Sequence, residues 1–213
     1  SGAAEDGTCG QPGSEMEAVD PADIQIIADR CRDSALTTRK AALQMLTDLL
    51  VAAPASTTIQ ATWLKTVLPC VLDQQASAVD SCCAMTFDVL LAPLVATASA
   101  TNELAWSLLE RIRGPELLQY LHKIMTLLRG MPKFSSKIGD AHVKAAHVRI
   151  SQHAEAVGPW VLLEEVSHLG VASMDAERAW QAWETACGRL PGLPEDDPAQ
   201  CVAIHALRIF ANC

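Results

Sequence analysis

The chain has 213 residues, 50% of them hydrophobic and 19% charged, which is ample material for a packed core and excludes a disordered tail. The apolar share is mostly Ala and Leu with only three Phe and one Tyr, so strand-forming residues are scarce and the composition predicts an all-α protein. A net charge of -9 excludes a wholly cationic nucleic-acid module, and any contact with a phosphate backbone must be local.

Residues 1–19 are rich in Gly and acids and show no apolar period, which predicts a flexible segment. From residue 20 to 213 the pattern is helical. Ile24, Ile27, Ala28 and Cys31 share one face of a first helix. Leu36, Ala42, Leu43, Leu46, Leu49 and Leu50 then recur at steps of three and four until Pro54. The layout repeats, with Ile59, Trp63, Leu64, Val67 and Leu68 on one helix and Val79, Cys82, Cys83, Met85, Val89 and Leu90 on its partner. Laying Asp33 on Asp73 aligns the two units, 20–54 and 56–97, at an offset of 40 residues, within the range of paired-helix repeats. The two Asp are expected to cap the N–H groups where the second helix of each unit begins. Further helices are predicted over 104–112, 117–128, 143–153, 160–169, 176–187 and 201–210, with Pro115, Pro132, Pro159, Pro191, Pro194 and Pro198 between them. The fold expected is an α-solenoid of stacked antiparallel helix pairs, an architecture suited to binding.

No constellation for catalysis emerges. His142, His147 and His153, with Asp140 nearby, are spaced by five and six residues, which does not place two imidazoles on one helix face. The run Glu164-Glu165-Val166-Ser167-His168 holds one His where a zinc-binding helix needs two. Residues 130–137 contain Gly, Lys and Ser without the spacing of a phosphate-binding loop. The eight Cys form no CxxC pair and mostly sit in apolar helical patterns, which predicts free, buried thiols in a reducing compartment. No metal, no cofactor and no enzymatic activity are expected. The uncharged stretches Leu49–Leu64 and Val89–Asn102 are shorter than the roughly 18 residues of a membrane span and are broken by Pro54 and Pro93. The start of the chain carries neither an initiator Met nor a secretory leader, so the chain reads as part of something longer.

Charge is unevenly spread. Residues 111–149 hold eight of the sixteen Lys and Arg against two acids. These are Arg111, Arg113, Lys123, Arg129, Lys133, Lys137, Lys144 and Arg149, candidate contacts for a DNA backbone or an acidic partner, set against the plainer reading of a solvated face. Of five Trp, Trp180 and Trp183, three apart on one helix, are candidate receivers of a partner's apolar side chain, the others being packing residues.

The Asp-in-turn pattern with small residues after it, Ala41-Ala42 and Cys82-Cys83, resembles the HEAT repeat. Beyond that, CRDSALTTRKAALQMLTDLLVAAP, IQATWLKTVLPCVLDQQASAVDSCCAMTFDVLLAPL and GPWVLLEEVSHLGVASMDAERAWQAWE look like the HEAT-repeat, non-SMC regulatory subunits of condensin II, the larger D-type. The resemblance covers about residues 23–112 and 158–190 and leaves out the acidic start and residues 130–155. It implies a nuclear, chromosome-bound and non-catalytic scaffold whose partners are the kleisin, the SMC subunits, the other HEAT subunit and double-stranded DNA, with the ATPase on the SMC heads. It also implies that this chain is an internal portion of a longer solenoid. Two readings stay open: a section touching both subunits and DNA, or a HEAT module docking a kleisin or short regulatory peptide without DNA. Whether the cations project from one face separates them.

Overall fold

A computed structural model describes residues 19–96, 100–170, 175–188 and 197–212, and these fold as helices joined by turns, with no strand among the described residues. The segment expected to be flexible lies, up to residue 18, outside the described residues, as do Cys9, Cys213, Pro191 and Pro194.

Local chemistry starts each helix. In α1 (Pro21–Arg30), Asp20 accepts from the N–H of Ala22 at 2.9 Å, and Pro21 occupies the first position, where its missing N–H costs nothing. Ile24 and Ala28 face α2 (Leu36–Ala52), whose stripe of Ala42, Leu43, Leu46 and Leu50 is buried. Each of these Leu contributes about 1.5–3 kcal/mol by leaving water. Ser56 caps α3 (Thr57–Val67), which tightens at Pro69 into the 3-10 turn Leu68–Leu72. Its partner α4 (Ala76–Thr86) continues into a π turn, Phe87–Leu91, and a 3-10 turn, Ala92–Val95. Pro93 has no N–H to continue the α ladder; just before it the helix widens and the N–H of Ala92 reaches back to the Phe87 carbonyl.

The two turn Asp behave alike, although not as first-turn caps. Asp33 accepts from the N–H of Ala35 at 2.9 Å and Asp73 from that of Gln75 at 2.8 Å, and Ala35 and Gln75 are themselves the residues that open α2 and α4. Arg39 ties the turns together: it donates to the carbonyls of Asp33 and Ser34 and, from Nη2, to Asp73 Oδ1 at 3.2 Å.

The run Ala76–Val95 is long and apolar enough to cross a bilayer on length and composition alone, which proline punctuation had argued against. Here half of it is buried within the protein, and Cys82, Cys83, Phe87, Leu90, Leu91 and Leu94 belong to the common core.

Past α4 the regular pairing loosens. The helix α5 (Ala100–Arg111) packs on the π and 3-10 turns and on α9 (Gly158–Ser167), while α6 (Pro115–Gly130) lies against the end of α3 and against α4. A short α7 (Pro132–Ser135), not foreseen from periodicity, sets Phe134 against Phe87 at 4.7 Å between ring centres. The paired arrangement returns with α8 (Asp140–Gln152) along α9, and α10 (Ala176–Cys187) along α11 (Pro198–Asn212). Pro115, Pro132, Pro159 and Pro198 all fall in the first two positions of helices. Every residue of α9 is buried. Its start meets α5 so closely that a Cβ on Gly158 would lie 3.0 Å from Leu109 Cβ, and Glu110 caps it by accepting from the N–H groups of Val157 and Gly158 at 3.1 and 2.8 Å.

Candidate interaction surfaces

The eight cations of 111–149 are spread over four helices and two turns and engaged differently. Arg149, on α8, forms a two-pronged pair with Glu103 of α5, at 2.9 and 3.0 Å. Arg113, in the turn before α6, binds the Glu110 carbonyl at 2.8 Å and reaches its carboxylate at 3.5 Å. Arg111, at the end of α5, donates from Nε to Gln60 Oε1 at 2.7 Å, and Arg129 of α6 meets the His168 carbonyl at 3.4 Å. Lys133 sits over the Phe134 ring and Lys137 over Phe87, at 5.0 and 5.6 Å. Lys123 on α6 and Lys144 on α8 are exposed, with no carboxylate partner among the described residues. Cations dense in sequence are thus divided, Arg149 neutralised by an acid 46 residues away, Arg113 by one three residues away and the others without a carboxylate partner among the described residues.

Trp180 and Trp183 are brought together, with ring centres 4.7 Å apart, and Phe210 of α11 stands 5.2 Å from Trp180. Both Trp are half-buried, and Ile204, Leu207 and Phe210 are exposed on the adjoining helix.

A charged cluster around the end of α9 escaped sequence reasoning. Glu164 and Glu165 are buried neighbours that a helix turns about 100° apart. Glu164 faces α11, where its carboxylate binds His205 Nδ1 and, at 3.2 Å, Arg208. Glu165 faces α6, with Oε2 3.1 Å from His122 Nδ1. The His122 and His168 rings meet edge to face at 4.8 Å, and Asn212 donates to Ser167 Oγ. Burial pushes the Glu164 carboxyl up, but hydrogen bonds and charge from His205 and Arg208 outweigh it and hold it below its usual range. Burial, reinforced by the Glu164 charge, raises Glu165 to about 8.

Of the histidines considered for a metal, one is engaged otherwise. His142 is buried with Nε2 3.2 Å from the Leu91 carbonyl, and no group of three or more His, Cys, Asp or Glu suited to a metal occurs among the described residues. Cys82 and Cys83 are fully buried. Burial lifts the thiol of Cys82 far above its usual value and that of Cys83 to about 11, which removes the thiolate a nucleophile needs.

No protein-family model and no solved structure matches the chain. Two curated proteins do. One is the condensin-2 complex subunit D3-L of Xenopus laevis, 31% identical over 169 residues, or 76% of this chain and 11% of the relative. The other is the condensin-2 complex subunit D3 of Mus musculus, 30% identical over 169 residues with the same coverage. The chain spans about a tenth of the length of these relatives. Similar in sequence to them over three quarters of its own length, and folded as the stacked helices that sequence patterning required, the chain belongs to the condensin-2 D3 subunit family as a segment of such a subunit.

Proposed function

We propose that this chain is a non-catalytic helical-repeat section of a condensin-2 scaffold. It acts at chromosomes in the nucleus during mitotic condensation and meets the kleisin, the SMC pair or the other HEAT subunit. The similarity to the D3 subunits carries this reading, and the packed helices of the described residues support it. Tagged and purified from mitotic cells, the chain is expected to bring the kleisin and SMC subunits with it. Recovery of neither overturns the scaffold role.

Backbone contact with double-stranded DNA is a second reading, favoured by Lys123, Lys133, Lys137 and Lys144, which carry no carboxylate partner among the described residues. Lys133, Lys137 and Lys144 together changed to Glu should weaken DNA binding in anisotropy, and wild-type affinity should fall steeply with salt. Unchanged binding in the triple variant removes DNA from the proposal and leaves a protein-docking section.

A further inference from the structure

The first three odd-numbered helices repeat a pattern that a count of charges along the chain does not register. In α1 and the turn after it, Gln25, Ala28, Asp29 and Arg32 stand at i, i+3, i+4 and i+7; in α3, Thr58, Ala61, Thr62 and Lys65 stand at the same steps; in α5, Ser107, Glu110 and Arg111 begin the series again. Such steps put each set on one helix face. Because α1 packs on α3 and α3 on α5, the three faces adjoin. They line two concavities of about 600 and 540 Å³ that share Ala61, Lys65 and Arg111 and so form one groove. The small Ala28 and Ala61 lie in its lining and Thr57, Thr58, Thr62 and Thr66 supply hydroxyls.

The charges of the groove are unequally committed. Asp29 accepts from Gln25, and Glu110 is taken up by the two amides of α9 and by Arg113. Arg32, Lys65 and Arg111 are exposed and have no carboxylate partner among the described residues. Arg111 is steadied by Gln60, which Pro54 and Ser107 hold in turn. Each of the three helices therefore contributes one available cation, at its C-terminal end.

We propose that this groove docks an extended peptide bearing carboxylates about three residues apart, each meeting one of Arg32, Lys65 and Arg111. The spacing follows from two lengths: packed helices lie about 8–10 Å apart, and a chain extended in the polyproline II conformation advances about 3.1 Å per residue with three residues per turn, so every third side chain faces the same way. Charge selects carboxylates. Asp29, whose partner Gln25 is neutral, already offsets part of the charge of the three cations, so single negative charges suit the groove, whereas three phosphates would bring roughly twice that charge into a protein already at -9. A duplex, with its continuous backbone charge, meets the same repulsion over a larger area. The groove stands on its own geometry and does not depend on membership of a condensin complex.

The test uses the whole chain and a fluorescent peptide of about a dozen residues with Glu at every third position among Gly and Ser, titrated at low salt. The expected result is saturable binding, weakened at least about tenfold in the Arg32→Glu/Lys65→Glu variant, whose altered side chains hold no other element in place. A Lys133→Glu/Lys144→Glu variant, equal in charge, should bind as wild type, and circular dichroism should show both variants folded. Absence of binding overturns the proposal, as does equal loss in both variants. Preference of more than about tenfold for a phosphoserine version, or displacement of the peptide by duplex DNA in the wild type, also overturns it by naming another ligand.

Discussion

The first four helices and the last four stack by the same geometry and are held by different chemistry. Between α2 and α3 the interface is apolar, and its buried polar groups are few and locally satisfied: Thr47 donates to the Leu43 carbonyl and accepts from Trp63 Nε1 at 3.0 Å. Its charges are kept to the rim, where Arg39 spans Asp33 and Asp73. Around α9, acids and histidines are inside. A helix at the edge of a two-layer stack hides one stripe and leaves the other to water. In contrast α9 has α5, α6, α8 and α11 as neighbours, so all of its faces are covered. A uniformly apolar rod among four neighbours has little to distinguish one rotation from another. Glu164 and Glu165 supply the distinction, because only one setting points the first at His205 and Arg208 and the second at His122. Contacts of this kind add little to net stability; what they do is distinguish one rotation of α9 from the others.

The largest effect expected on the apolar side is at Trp63, which is fully buried. Trp63→Ala should cost about 3–5 kcal/mol through lost burial and the cavity left behind. Urea unfolding should show this loss equally at pH 6.5 and pH 8, because nothing at that interface titrates. A strongly pH-dependent loss would mean that the two halves are not chemically separate.

The α9 side should respond to pH instead. Glu165 titrates at about 8 when folded against an ordinary value of 4.5, so between those limits the folded state holds a proton that the unfolded state has released. Through this group stability therefore falls as pH rises across this window, by up to about 1.4 kcal/mol per unit, and the buried thiols, also raised by burial, continue the fall from about 9. Burial lowers His142, His147 and His168 below 6.5, which has the opposite slope and ends near that value. The Glu165 slope should thus be seen unopposed from about 6.5 to 8. Glu165→Gln removes the titration. Its unfolding midpoint should stay flat over that range while the wild type declines, and parallel declines would place the titrating group elsewhere.

These two regions were not equally legible. Steps of three and four residues with prolines at the boundaries mark nearly every helix, because an edge helix writes its buried stripe into the sequence. The stripe of α9 is invisible for the converse reason: all of it is buried, and Glu164-Glu165 enter the sequence reading only as part of a run with one His where a zinc-binding helix needs two. Their partners His205 and His122 lie 41 and 43 residues away, and no local spacing joins them. The cation count over 111–149 does not register that Glu103 and Glu110, which occupy two of the arginines, come just before that stretch. One signal did lie within reach. The i, i+3, i+4, i+7 sets beginning at Gln25 and Thr58 recur along the chain, and aligning them would have placed Arg32 and Lys65 side by side.

The smallest expected effect separates two arginines of equal chemistry. Arg39 and Arg149 each approach a carboxylate with two nitrogens, but Arg39 and Asp73 are 14% and 16% exposed, whereas Glu103, the partner of Arg149, is 66% exposed. Water and ions screen the second pair and hardly reach the first. Arg39→Ala should therefore cost about 1.5–3 kcal/mol, since it breaks the sheltered pair with Asp73 and also leaves the part-buried Asp33 carbonyl without its donor. Arg149→Ala should cost less than about 1 kcal/mol, and high salt should erase that difference from wild type while leaving the cost at Arg39 nearly intact. If salt removed both losses alike, the link between the two units would be a surface pair like the other, and register between α2 and α4 would rest on apolar packing alone.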